Sequence, residues 1–275
     1  MPPVLFTEEH VRLWSELLEQ KTGVQLGEIQ DGHLKTQITM RMRELNTVDV
    51  GEYYQRVSKD LMEWAAIMER LLVKETHFFR SRESISLVKN KAFKHLNSAP
   101  AQESFDVWSL GCSTGEEAYG LAAVIFDCFR LAVEKRYFSV LGTDISASAL
   151  AHARNAVYGK SRLLNLSDEE KKRYFDVIAG EEKYKVRPEI AARVNFVRGN
   201  ICELDKMPRL PMDVIYCQNL LVYFRRWRRK EILTKLIERL KPKGLLIVGA
   251  GEIVGWRDEN LTPIPAQGVQ AYQRI

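Results

Sequence analysis

A chain of 275 residues, 45% hydrophobic and 28% charged, has the composition of an ordinary folded protein. It is long enough to bury a core without disulfide staples. Its four cysteines (Cys112, Cys128, Cys202, Cys217) form no C-x-x-C pair and have no histidine at ligand spacing, so no metal site is expected. Free thiols fit a reducing compartment. The opening MPPVLFTEEHVRLW lacks the apolar stretch of a signal peptide, and the run 244–251 is far too short to span a bilayer. A soluble, cytoplasmic, monomeric protein is expected. The net charge of +5 is uneven: residues 1–104 hold 14 Lys+Arg against 15 Asp+Glu, and residues 105–275 hold 27 against 21. That surplus suits an acidic partner without demanding nucleic acid.

Residues 7–90 carry helical spacing almost throughout. Thr7, followed by Glu8 and Glu9 and then Val11, Leu13, Trp14, Leu17 and Leu18, predicts an N-capped amphipathic helix. A second helix is predicted over 32–45, with Leu34, Ile38, Met42 and Leu45 on one stripe. A third covers 51–57, a fourth 61–72, and a fifth starts near Ser81. Residues 1–90 are therefore read as an all-helical domain, and the polar segment 91–104 (KAFKHLNSAPAQES) as a linker.

From residue 105 the pattern changes. Apolar runs at 105–110, 139–143, 194–198, 214–218 and 245–250 alternate with helical stretches near 116–134, 146–155 and 229–240. Strands alternating with helices predict an α/β domain over 105–275, a parallel sheet covered on both faces. The rhythm breaks only over 168–192, where 177–179, a Gly180–Glu181 turn and 183–186 predict a small β hairpin inserted into the sheet domain.

Ligands of such sheets bind at the carboxyl ends of the strands. Gly111-Cys112-Ser113-Thr114-Gly115 follows the first strand and opens a helix. It has neither the lysine of a Walker loop nor the G-x-G-x-x-G of a dinucleotide site. Glu116 and Glu117 at the helix start would repel a pyrophosphate but welcome a ligand bearing an ammonium and a sulfonium. The alternative is a plain strand–helix turn, its acids favoured by the helix dipole. Asp144 ends the second strand, where it suits both a ribose ligand and a helix N-cap. Asn200 follows the third strand, within reach of an adenine edge, and Gln218-Asn219-Leu220 follows the fourth. Asn219 precedes two leucines rather than the N-P-P-Y turn of amine methylation, and no Cys–Pro pair fits C5-pyrimidine chemistry. A carboxylate acceptor needs neither device, being ionised already at neutral pH.

Taken together these segments resemble the chemotaxis receptor methyltransferases of the CheR type. Lys74-Glu75-Thr76-His77-Phe78-Phe79-Arg80 resembles the family's T-x-F-F-R segment, and Ser113-Thr114-Gly115-Glu116-Glu117 with Tyr119 its S-T-G-E-E-x-Y loop. Thr143-Asp144-Ile145, Ala156-Val157-Tyr158, Arg173-Tyr174-Phe175, Cys217-Gln218-Asn219, Tyr223-Phe224 and residues 240–245 follow in the family's order. The resemblance implies a Rossmann-like S-adenosylmethionine-dependent methyltransferase domain with a small β insertion, preceded by an all-helical domain. It implies methyl transfer to receptor glutamates, giving methyl esters and S-adenosylhomocysteine. Lys74, Thr76, Arg80, Gly111, Glu117, Asp144, Asn200, Ile201, Asn219 and Leu220 would hold the cofactor, with Arg80 and Tyr223 beside the transferring methyl. Without the resemblance, Phe78, Phe79 and Tyr223 would be read as core aromatics.

Lys35, Arg41 and Arg43 lie on the helix that the family presents to acidic receptor helices, though a solvated face explains them as well. Gln218 stands where the family usually has Arg, and Gly249-Ala250-Gly251-Glu252 replaces a common G-H-S-E. The basic run Arg225–Lys230 reads as a solvated helix start or as a dock for an anionic partner. The competing functions are a non-catalytic S-adenosylmethionine-binding scaffold and an RNA methyltransferase.

Overall fold

The computed structural model describes residues 4–25, 31–72 and 76–275. The chain divides into two compact units, one of residues 1–73 with 223–228, the other of residues 74–222 with 229–275.

Among the described residues the first unit has four helices: α1 (Glu8–Thr22), α2 (Asp31–Glu44), α3 (Val50–Lys59) and α4 (Leu61–Leu71). Thr7 caps α1, accepting from the His10 amide, and Gly23 ends the helix in the left-handed region. Asp49 and Asp60 cap α3 and α4 in the same way. The predicted stripe of α2 is buried as Leu34, Ile38 and Met42, and Trp14 lies 5.5 Å from the Tyr53 ring. One carboxylate, Glu63 of α4, sits in this apolar interior at 4% exposure. Arg41 meets it with two hydrogen bonds of 2.8 and 2.9 Å, and the Tyr53 hydroxyl donates a third at 2.8 Å. Arg41 thereby holds Glu63 below the ordinary carboxylate range, against the effect of burial.

The second unit opens with α5 (Arg82–Ser98). This corrects the expectation of a linker over 91–104: the chain there is mostly helix, and Val88, Ala92 and His95 are buried. The polar letters of the segment are the solvent face of that helix. Next come β1 (Phe105–Leu110), α6 (Glu116–Phe129), β2 (Phe138–Asp144) and α7 (Ala147–Asn155). An insertion follows, comprising β3 (Val157–Gly159), a 3-10 turn over Lys160–Leu163, α8 (Asp168–Tyr174), β4 (Phe175–Val177) and β5 (Lys183–Val186). After α9 (Pro188–Ala191) the chain returns to the main sheet with β6 (Val194–Arg198), β7 (Met212–Cys217), α10 (Arg226–Ile237) and β8 (Leu240–Val248). It ends in β9 (Leu261–Ile264) and β10 (Gln270–Arg274).

The main sheet has the order β6-β2-β1-β7-β8-β10-β9. The first five strands run parallel, and β10 and β9 extend the sheet antiparallel, an extension the sequence reading omits. Sequence order reverses between β1 and β7, so the crevice at their carboxyl ends is the topological switch point. The inserted hairpin is present but larger than expected, because β3 pairs with β5 on the side opposite β4. Helix α6 is apolar nearly all round, with Leu121, Ala122, Ile125 and Cys128 buried.

At the amino ends of the strands a buried carboxylate, Asp213, accepts from the Asp106 amide at 2.8 Å and from Lys241 Nζ at 2.6 Å. This bracket fastens β1, β7 and β8 together at the end away from the switch point. Among the described residues, no helix is long and apolar enough to cross a membrane.

Replacing Arg41 by Ala leaves Glu63 buried without its cation. We expect a loss of about 3 kcal/mol in chemical denaturation at pH 7, the lower end for a broken buried pair because Arg41 is partly exposed. The deficit shrinks as pH falls through the lowered Glu63 value, since protonated Glu63 no longer needs the cation.

Candidate active site

The loop from β1 into α6 is shaped by two glycines. Gly111 has φ +70°, and its amide donates to the Thr143 carbonyl at the end of the neighbouring strand β2. Gly115 has φ +94° and caps α6 without a side chain. A Cβ on Gly115 would lie 2.8 Å from the Ala153 Cβ and 3.0 Å from the Tyr158 hydroxyl. A Cβ on Gly111 would meet Leu220, which follows β7, at 3.0 Å. The turn thus seats two strand ends against each other at the switch point, bringing Gly111 and Leu220 together.

Glu117 faces this crevice, accepting from the Ser109 hydroxyl at 2.7 Å. Burial pushes its pKa up to about 8; the Ser109 hydrogen bond opposes this, the Glu252 carboxylate adds to it, and Arg80 pulls it down. Arg80 is exposed, and its charge also acts on the Tyr216 phenol. Asp144 accepts from the Ser113 amide through one oxygen and the Ser146 amide through the other, both at 2.8 Å. It therefore organises the glycine turn and the start of α7. The two sequence readings, cap and ribose ligand, remain compatible, because a carboxylate accepts about four hydrogen bonds. Asn200 caps the 3-10 turn Ile201–Lys206 by accepting from the Cys202 amide, with Ile201 buried beside it. Asn219 is exposed with φ +57°, a conformation that asparagine tolerates.

The expected aromatics Phe78 and Phe79 are buried, as the plain core reading requires. Phe78 meets the rings of Tyr158 and Phe175 at 4.9 and 5.0 Å, edge to face. Thr76 offers its carbonyl to Arg162. Lys74 lies outside the described residues. Tyr223 closes a short 3-10 turn, and its carbonyl accepts from the Gln25 amide at 2.7 Å, which places it with the helical unit.

Ser109 and Glu252 are absent from the sequence-derived set of site residues. Ser109 shows itself only as a polar letter among the apolar residues Val107, Trp108 and Leu110 of its strand. Glu252 is 2% exposed and accepts from the Gly249 amide at 2.8 Å. Burial raises its pKa, while the amides of Gly249, Val222 and Leu220 act in the other direction. Gln218, where an arginine is usual in the resembling family, accepts from the Tyr216 hydroxyl and donates to Ser84 at 2.9 Å, so its amide links β7 to α5.

Of the basic residues offered as docking groups, Arg41 is engaged by Glu63 and Glu44, whereas Lys35 and Arg43 are exposed. In the later run, Arg225 pairs with both oxygens of Glu19, and Arg229 donates to the carbonyls of Glu252 and Val222. These two arginines hold structure, which corrects the reading of the whole run as a dock.

The donor set is acidic and neutral: a carboxylate at the helix start, a second at the β2 end, an amide after β6, and a buried Ser113 hydroxyl with no partner of its own. It fits a nucleoside carrying positive charge better than one carrying phosphate. Residues 74–268 match the model described as CheR methyltransferase, SAM binding domain, and residues 9–72 match CheR methyltransferase, all-alpha domain. The chain belongs to the CheR methyltransferase family, with S-adenosylmethionine as its cofactor. It is 30% identical over 250 residues to the chemotaxis protein methyltransferase of Escherichia coli, covering 90% of this chain and 85% of that protein. It is likewise 30% identical to chemotaxis protein methyltransferase 1 of Pseudomonas aeruginosa, over 87% of this chain and 88% of that one. A probable biofilm formation methyltransferase of P. aeruginosa is 28% identical over 91% of this chain but only 58% of its own length.

Gly115→Ala forces an L side chain into the left-handed region and into Ala153. The conformation alone costs about 1–2 kcal/mol. We expect a lower Tm together with weakened binding of S-adenosylhomocysteine, measured by calorimetry.

Proposed function

We propose that this protein transfers the methyl group of S-adenosylmethionine to glutamate carboxylates on the cytoplasmic helices of chemoreceptors or related signalling receptors. The observation that carries the reading is Glu117: a partly buried acid at the switch point, which the ammonium of a ligand would ionise and hold. Glu117 would receive the cofactor's amino group, Asp144 its ribose hydroxyls, and Asn200 with Ile201 its adenine. Thr76, Asn219 and Leu220 would form the remaining wall.

Bound there, the cofactor supplies an electrophilic methyl on a sulfonium. The acceptor glutamate has a reference pKa near ~4.3 and is anionic at neutral pH, so no general base is needed. What remains is alignment of oxygen, carbon and sulfur, to which orientation alone contributes several kcal/mol. Arg80, whose fork matches a carboxylate, would hold the acceptor or the cofactor carboxylate, and Tyr223 would border the methyl. The receptor's acidic helices would meet α2 through Lys35 and Arg43. Any anionic partner of the basic run would be met through Arg226 and Lys230, which are exposed.

Incubation with methyl-labelled S-adenosylmethionine and receptor, then mild alkali, tests the reading. Release of labelled methanol is expected, since methyl esters hydrolyse and methyl amines do not. Alkali-stable label, label in RNA, or no transfer would each refute it. Glu117→Gln removes a charge-assisted contact of about 1.5–3 kcal/mol. Its expected effect is a rise of roughly tenfold to a hundredfold in the Kd for S-adenosylhomocysteine.

A further inference from the structure

The two acids that open α6 take different partners. Glu117 turns toward Ser109 and the crevice. Glu116, with no exposed surface, turns toward the β insertion. The Thr114 hydroxyl donates to its Oε2 at 2.6 Å, while Oε1 has no hydrogen-bond donor and instead faces Arg162 Nε at 3.7 Å. Arg162 lies in the 3-10 turn that follows β3.

The same residue grips the segment before α5. Arg162 Nη1 donates to the Thr76 carbonyl at 2.5 Å, and the Arg162 carbonyl accepts from the Phe78 amide at 3.1 Å. Asn165 donates to the Phe78 carbonyl at 3.3 Å, and Tyr158 donates to the Thr114 carbonyl at 2.7 Å. Residues 76–80 belong to no helix or strand, so their backbone polar groups need partners from elsewhere. The insertion supplies them. One guanidinium hydrogen-bonds the Thr76 carbonyl and lies beside the buried acid next to Glu117; the Thr76 bond is the one that fixes the segment, and a lysine ammonium can also donate it.

We propose that Arg162 is a positioning residue for the methyl-donor site: it fixes the Thr76–Arg80 segment against the start of α6, and through it the β insertion sets the affinity for the cofactor. The inference rests on the reading that Thr76, Arg80 and Glu117 hold S-adenosylmethionine. Arg162 need not touch the cofactor to act in this way.

The test uses the full chain, with calorimetric binding of S-adenosylhomocysteine and steady-state methylation of receptor. Arg162→Ala should raise the Kd for S-adenosylhomocysteine and the KM for S-adenosylmethionine about tenfold, equivalent to 1.4 kcal/mol. The kcat should change less than about threefold, and the KM for receptor should stay the same. Arg162→Lys, which can still donate to the Thr76 carbonyl, should recover most of the affinity. If the alanine variant does not fold, Arg162→Gln takes its place, with the Kd again expected to rise. Wild-type affinity in the alanine or glutamine variant would overturn the proposal. So would a loss spread over kcat and both KM values that lysine does not repair. A wild-type chain unable to bind S-adenosylhomocysteine would overturn the cofactor reading itself, and the proposal with it. Binding by the wild type but not by Arg162→Ala, with rescue by lysine, supports both.

Discussion

Withdrawal of two adjacent acids from water at the start of α6, Glu116 fully and Glu117 in part, is the constraint on which the site depends. A helix amino end favours negative charge, yet removing that charge from water costs more than the dipole returns. Both acids respond by holding their protons more tightly. Each is then tied to a different neighbour: Glu116 to Thr114 and Arg162, Glu117 to Ser109. The first arrangement joins the helix to the insertion; the second leaves an acid with a pKa of about 8 in the crevice, ready to ionise against a cation. A phosphate-binding helix start has the opposite design, with bare amides and glycines.

The rest of the second unit keeps that crevice in shape. Asp213 and Lys241 tie the amino ends of the strands together. At the carboxyl ends the fit of Leu220 over Gly111 and the two-sided grip of Asp144 leave the turn little freedom. Glu252 adds a further anchor where β8 ends. The insertion, which the sequence pattern shows only as a small hairpin, braces the Thr76–Arg80 segment through Arg162 and the ring of Tyr158.

Which features could be read from sequence follows from how local their signals are. The glycine turn and its acids, the strand ends at Asp144 and Asn200, and the stripe of α2 are each written within a few residues. The start of helix α5 near Ser81 is legible, but its continuation past residue 90 is not, because Ala92 and His95 are the inward-turned residues of a stretch that is otherwise mostly polar. Strand β3 is three residues long and pairs with β5 far along the chain, Val157 opposite Lys185, so no period reveals it. The β9–β10 extension is similarly short, with Pro263 on its edge strand. Periodicity placed Arg41 on the flank of α2 but could not name Glu63 as its partner, 22 residues away. Arg162 and Ser109 gain meaning only once the strand ends are brought together.

The most direct test of this account counts protons. Burial pushes the Glu117 pKa up to about 8, so receiving the cofactor's ammonium as a carboxylate is coupled to loss of its proton. Calorimetry of S-adenosylhomocysteine binding at pH 7, in buffers of different ionisation enthalpy, should therefore show release of close to one proton per molecule bound. That release should disappear in Glu117→Gln. Tight binding with no proton released, or with the same release in the glutamine variant, would contradict the role assigned to Glu117.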